Sequence, residues 1–242
     1  MKTLVSLLAL AAAIPAFADE PAPAADPLSF NVGVVSEYRY RGISQSRLRP
    51  ALQGGIDYAG ANGFYVGTWA STIKWVKDAG GDGDVEVDLY GGYRTEVAKG
   101  LTLDVGVLQY FYPGGYSNPR PYTTELYAGI GYGPVFLKYS QAVTNLFGIA
   151  NSQYSSYIDL AFNYPLNVWD LTLNAHLGYQ NVQHNSAASY LDWKVGLTKD
   201  LGKGFALAVA YIGTNAKESF YTNSYNHNVG NNTAWVSLSK TF

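Results

Sequence analysis

Ionisable side chains in this chain tend to fall at alternate positions rather than in clusters. Glu86 and Asp88 stand in V-E-V-D-L-Y, Arg39 and Arg41 in Y-R-Y-R-G, and Asp192 and Lys194 in L-D-W-K-V. Asp57, Asp104 and Lys138 each sit between apolar neighbours, and Glu37, Arg94, Glu125, Asp159 and His176 occur in similar settings. A spacing of two puts such groups on one face of a strand. Charges on one face can pair with one another, line a polar surface or attract a solute of opposite sign. Covalent catalysis would need more: a nucleophile with a base held beside it. The three histidines, His176, His184 and His227, are spaced for neither a Ser-His-Asp constellation nor a metal site. The chain has no cysteine. A barrel hydrolase using His176 is therefore the least favoured reading, and no cofactor and no metal are expected.

Two clusters could still recognise something. Arg39, Arg41, Arg47 and Arg49 lie close in sequence. Guanidinium groups suit carboxylates and phosphates, whether of a solute or of lipopolysaccharide. Pairing of these arginines with Glu37 on the same face is the expected competitor. Asp78, Asp82 and Asp84 lie in K-D-A-G-G-D-G-D. Carboxylates in a glycine loop can hold calcium, but this spacing matches no EF-hand loop, and a solvated hairpin tip is expected.

The alternation that sorts the charges also defines the elements that carry them. The chain divides into twelve strands. The first spans about Ser29 to Arg41, the second Ala51 to Tyr58, the third Phe64 to Ile73. In the fourth, Val85, Val87 and Leu89 alternate with Glu86, Asp88 and Tyr90. The last ends at Phe242, with Ala234, Val236 and Leu238 on one face and Ser237, Ser239 and Thr241 on the other. Strands of about 8–12 residues match a tilted crossing of a hydrocarbon core. Short connections (59–63, 97–100, 133–134, 165–170, 200–204) alternate with long ones (42–50, 74–84, 113–121, 144–154, 181–189, 213–232). That asymmetry belongs to outer-membrane barrels, with tight periplasmic turns and longer extracellular loops. An Arg or Lys facing lipid at mid-membrane costs ~2–4 kcal/mol, so the charged faces are assigned to the lumen. Tyr38, Tyr40, Tyr58, Tyr132, Tyr139, Tyr164, Tyr179 and Tyr211 fall on the lipid face at strand ends, as aromatic girdles. Lys240 is the exception, a cation on the nominal lipid face, close enough to the interface to snorkel.

The start of the chain supplies an address. Met1-Lys2-Thr3, an apolar stretch from Leu4 to Phe17 and Ala16-Phe17-Ala18 read as a secretory signal peptide cut after Ala18. Residues 19–27 form a Pro/Ala leader expected to be flexible and periplasmic, and residues 28–242 the barrel. With 16 Lys and Arg against 18 Asp and Glu, no nucleic-acid partner is expected. The fold class expected is all-β: a single antiparallel up-and-down transmembrane barrel of twelve strands.

The stretch S-E-Y-R-Y-R-G-I-S-Q-S (36–46), with P-A-L-Q-G-G-I-D-Y (50–58), G-F-Y-V-G-T-W-A-S (63–71) and V-E-V-D-L-Y-G-G-Y (85–93), resembles the TorF family of proteobacterial outer-membrane porins. The resemblance covers the chain from about Phe30 to Phe242 and is most specific at R-G-I-S-Q-S. It implies a porin-like barrel and supplies no settled solute and no catalytic residues. The function expected is passive diffusion of small hydrophilic solutes through a polar lumen lined by Glu37, Arg39, Arg41, Asp57, Glu86, Asp88, Arg94, Asp104, Glu125, Lys138, Asp159, His176, Asp192 and Lys194. The alternative is a barrel closed to solutes that uses its long loops for surface contacts. The partners expected are outer-membrane lipid, lipopolysaccharide and the solutes themselves; nothing in the sequence shows an interface for a homo-oligomer.

Overall fold

The computed structural model describes residues 27–114 and 120–242. The expected signal peptide and all but the last residue of the expected leader lie outside the described residues. Twelve strands form the wall: β1 (Leu28–Val35), β4 (Ala51–Ala59), β5 (Phe64–Thr72), β6 (Val85–Ala98), β7 (Leu101–Phe111), β8 (Thr123–Tyr132), β9 (Val135–Ala142), β10 (Ser156–Pro165), β11 (Leu171–Asn181), β12 (Tyr190–Gly202), β13 (Phe205–Thr214) and β14 (Thr233–Thr241). Each pairs antiparallel with its neighbour in sequence, and β1 pairs with both β4 and β14, so the sheet closes into a barrel. Closure satisfies the ladders of the wall and leaves none of its strands with a free edge, which a hydrocarbon solvent requires. Among the described residues no helix is long and apolar enough to cross a membrane.

The faces sort as a barrel in lipid needs them. Leu126, Ile130 and Tyr132 of β8 point outward, Tyr132 at 67% exposure, while Glu125 on the same strand is 2% exposed. Glu86, Asp104 and Asp192 are likewise buried, and Leu89, Val105 and Val195 of the same strands are exposed. Carboxylates inward and aliphatic side chains outward is the reverse of a soluble barrel. Tyr58, Tyr132 and Tyr164 are exposed near the short turns; Tyr139, Tyr179 and Tyr211 are exposed toward the long loops. Lys240 lays its ammonium over the rings of Phe205 and Phe242, 4.2 and 4.9 Å from their centroids, with Lys203 O at 3.4 Å. Its charge is thereby carried to the rim at the short turns.

One expected strand is shorter than its alternation suggests. β1 stops at Val35 rather than Arg41, and residues 36–46 fold into the barrel. There β2 (Arg39–Tyr40) and β3 (Ile43–Ser44) form a two-stranded hairpin apart from the wall. The turn between them is Arg41-Gly42, with φ of 47° and 78°. Successive left-handed residues make the tight hairpin turn that reverses the chain, and glycine takes that conformation without strain. Tyr38 and Tyr40 are consequently not girdle residues. Tyr38 is 3% exposed and packed inside the barrel, and Tyr40 packs against the same cluster. Both gain hydroxyl partners there that lipid would not offer.

Candidate functional site

The lumen has two halves of different construction. In the half toward the long loops, the hairpin is packed as in a protein core. Val35, Tyr38, Ala51, Ile73, Val76, Leu108, Tyr110, Tyr112, Ile212 and Trp235 form a buried cluster, with Trp69, Trp75 and Phe147 against it. Trp75 and Val76 belong to α1 (Trp75–Asp78) in the loop after β5, and Phe147 to the loop after β9. The Phe147 ring meets those of Tyr40 and Tyr110 edge-on at 5.4 and 5.2 Å. Edge-to-face pairs of this kind add about 0.5–1.5 kcal/mol each to burial.

Two arginines fix the hairpin. Arg41 donates from Nη2 to Glu125 Oε2 and from Nη1 to Gln180 Oε1, both at 2.7 Å. Its guanidinium lies between the Tyr40 and Tyr157 rings, 4.7 and 4.1 Å from their centroids. Glu125 stands on β8 and Gln180 on β11, so one side chain ties the hairpin tip to two separate parts of the wall. Arg39 makes a forked pair with Glu37 at 2.9 and 3.1 Å and donates to Asn231 O and Oδ1 at 2.6 and 2.8 Å. Trp235 Nε1 donates to Glu37 O at 2.8 Å, and Tyr38 Oη to Glu86 Oε1 at 2.5 Å. Above them Arg47 pairs with Asp78, which also accepts from Asn223 Nδ2 at 2.8 Å. The loops after β1, β5 and β13 are thus laced together across the mouth.

The half toward the short turns is polar and partly open. Asp104 accepts from Arg94 Nη2 at 2.8 Å and Tyr65 Oη at 2.6 Å. Asn163, Asn174 and Thr198 form a ladder at 2.7 Å per step across β10, β11 and β12. Between the halves, His176 Nδ1 lies 3.0 Å from Asp159 Oδ1 and His176 Nε2 lies 3.2 Å from Asp192 Oδ2. Tyr157 Oη donates to the same Asp192 at 3.0 Å. Two glycines are needed for close approach. A side chain at Gly106 would strike the Tyr127 hydroxyl and one at Gly178 the Tyr157 hydroxyl, so these tyrosines lie flat across the neighbouring strand.

The expected lining residues on the wall strands all point inward: Asp57, Glu86, Asp88, Arg94, Asp104, Glu125, Lys138, Asp159, His176, Asp192 and Lys194. Glu37, Arg39 and Arg41 are inside too, but as parts of the inserted segment rather than of the wall. The expected Arg39–Glu37 pairing is present, and the two guanidinium groups diverge instead of converging on one anion. Sequence reading missed Gln180, Tyr157, Asn231 and Trp235. The only signal for the hairpin was the arginine–glycine step at 41–42, set in a run where every second residue is polar. Asp78 and Asp84 do not converge either: Asp84 pairs with Lys74 at 2.9 Å and Lys77 at 2.5 Å.

A family described as "Bacterial protein of unknown function (Gcw_chp)" has a model that matches residues 19–242. Among solved structures, the KdgM porin matches with a TM-score of 0.57 at 10% identity, covering 88% of this chain and 98% of that one. A KdgM porin in complex with disordered oligogalacturonate gives 0.56 at 12%, covering 89% and 98%. The NanC porin gives 0.53 at 12%, covering 88% and 98%. At these identities the likeness is one of fold. No curated protein matches the chain.

Proposed function

The chain belongs to the Gcw_chp family, and we propose that it is an outer-membrane channel for passive diffusion of small hydrophilic solutes, narrowed at its outer mouth by the β2–β3 hairpin. The observation that carries this reading is the inverted barrel itself, with carboxylates, amides and lysines inside and leucine, valine and tyrosine outside. An interior of that kind suits water and solutes rather than lipid. The porin fold of the matched structures supports it, as does the TorF-like stretch at 36–46, which supplies the hairpin. Short turns and both ends of the described barrel then face the periplasm, and the long loops face outward.

Twelve strands lie between the eight that side chains can fill and the sixteen of open porins. The hairpin makes up the difference at the mouth, leaving the periplasmic half of the lumen as a polar vestibule. Arg41 and Arg39 hold the restriction in place, and solute passage depends on the room beside it or on its displacement. A second reading, a barrel closed to solutes that presents its laced outer loops, is favoured by the packing of the mouth alone. Swelling of proteoliposomes in small sugars separates the two. The channel reading predicts swelling above protein-free vesicles, falling with solute size. Vesicles that stay impermeable, both with the full chain and with residues 37–46 replaced by a short Gly/Ser linker, contradict it.

A further inference from the structure

The turn of the hairpin rests on one carboxylate of the wall. The Arg41-Gly42 step lies so close to Asp192 of β12 that a Cβ at Gly42 would meet Asp192 Cβ at 2.9 Å. Asp192 is 0% exposed. It accepts from Tyr157 Oη at 3.0 Å, and the Arg41 guanidinium lies 4.1 Å from the centroid of the Tyr157 ring. The wall strands on either side of Asp192 are fixed by their ladders, and the hairpin turn stands outside those ladders. The turn is therefore the cover over Asp192 that can lift without breaking the barrel.

The positive charge beside Asp192 comes from a single side chain. His176 Nε2 lies 3.2 Å from Asp192 Oδ2, and His176 Nδ1 lies 3.0 Å from Asp159 Oδ1. Both ring nitrogens donate only in the imidazolium form. The other cations around this ring are committed elsewhere or form no pair. Arg41 is taken by Glu125 and Gln180. Lys138 and Lys194 stand opposite Asp159 and His176 in the strand register, and neither forms an ion pair among the described residues. The Lys138 ammonium rests instead over the Tyr127 ring at 4.7 Å. A neutral imidazole keeps one N–H, so one carboxylate faces a bare lone pair and both lose the cation between them. The Asp159 side chain is 13% exposed, and water can replace what it loses. Asp192 has no such access, and a buried carboxylate stripped of its cation is strongly destabilised. Water reaches it when the hairpin turn lifts.

We propose that His176 is a proton-operated latch on the plug: as imidazolium it balances Asp192 and seats the hairpin turn, and as neutral imidazole it favours the lifted hairpin. The inference rests on the channel reading above and names the regulation of that channel. Conductance rises as pH rises through the titration of His176, because the form that seats the hairpin is the protonated one.

The test is single-channel conductance of the full chain in a planar bilayer, recorded on both sides of the His176 titration. That range is located by NMR in the His184→Gln/His227→Gln variant, where His176 is the one histidine left. Conductance is expected to be about twofold larger or more on the alkaline side. Two substitutions should fix opposite states. His176→Gln removes the cation at every pH and should give the alkaline value throughout. Asp192→Asn removes the buried charge and should give the acid-side value throughout. His184 and His227 stand in the loops after β11 and β13, so the variant lacking both should keep the full pH response. Heat-shifted gel mobility shows which proteins are folded, and either His176→Gln or Asp192→Asn suffices if the other is not. Equal conductance on the two sides in the unmodified chain overturns the inference and leaves the channel standing. So does a response that survives in folded His176→Gln, a response lost with His184 and His227, or a His176 ring that does not titrate between about pH 5 and about pH 9. If the chain conducts at neither pH, the channel reading falls and this inference falls with it.

Discussion

The two halves of the lumen solve the same problem of buried polarity in different ways. Toward the long loops, two arginines are each paired with a carboxylate and sealed under aromatic rings, Arg41 with Glu125 and Arg39 with Glu37, and Tyr38 donates to the buried Glu86. Toward the short turns, charge and amide groups are only partly covered. Arg94, whose side chain is 38% exposed, still reaches Asp104, and Asn174 joins a ladder that remains accessible. The first arrangement makes a wall segment into a plug, since a sealed ion pair is strongly destabilised when one partner is lost. The second leaves polar groups of the wall accessible. A single barrel thus holds a protein-like core at one end and a polar surface at the other.

Substitutions at the sealed end should have the largest effects. Arg41→Ala leaves Glu125 buried without a cation and Gln180 without its donor. It should cost ~3–5 kcal/mol in the anchoring of the hairpin. A lower unfolding temperature and a raised conductance in a planar bilayer are the expected readings. Gly178→Val forces the Tyr157 ring away from Asp192 and from the Arg41 guanidinium. Overpacking of this kind costs about 1–3 kcal/mol, visible as a drop in unfolding temperature. At the open end the same measurement should barely respond. Asn174→Ala removes one rung of a water-accessible ladder and should shift stability by no more than about 0.5 kcal/mol. A large loss there would show that the vestibule is packed as tightly as the mouth.

The smallest effect is expected in the loop after β5. Lys74 and Lys77 hold the Asp84 carboxyl below its ordinary range through hydrogen bonds from their ammonium groups. A carboxyl depressed in the folded state adds stability above its unfolded pKa, and the gain is lost as pH falls through the folded value. Lys77→Ala should therefore raise the Asp84 pKa toward the ordinary carboxylate value. That shift is readable by titration with NMR detection, with no measurable change in unfolding temperature, because the pair is solvent-exposed.

The contrast between the halves also marks what the sequence could reveal. Alternation with period two identified the twelve wall strands, and loop lengths identified the two ends, because both are local properties. The inward placement of Glu86, Asp104 and Asp192 follows from the same pattern. Tyr38 and Tyr40 could not be placed this way. Y-R-Y-R alternates identically whether it runs on in the wall or folds inside, and the choice is made by partners far along the chain. Arg41 finds Glu125 and Gln180, and Glu37 O finds Trp235. The glycines behave likewise: Gly106 and Gly178 are small because Tyr127 and Tyr157 lie over them, which only the strand register discloses. Local rules built the wall, and long-range contacts built the plug.

The β2–β3 hairpin fills the half of the lumen toward the long loops, and the rest of the lumen is polar. Single-channel conductance tests it most directly, measured in one bilayer for the full chain and for a chain in which residues 37–46 are replaced by a short Gly/Ser linker. Both proteins are first shown to be folded by heat-shifted gel mobility. A conductance several-fold larger is expected for the linker variant. Equal conductance in the two folded proteins would contradict it, because the hairpin would then not be what limits the mouth.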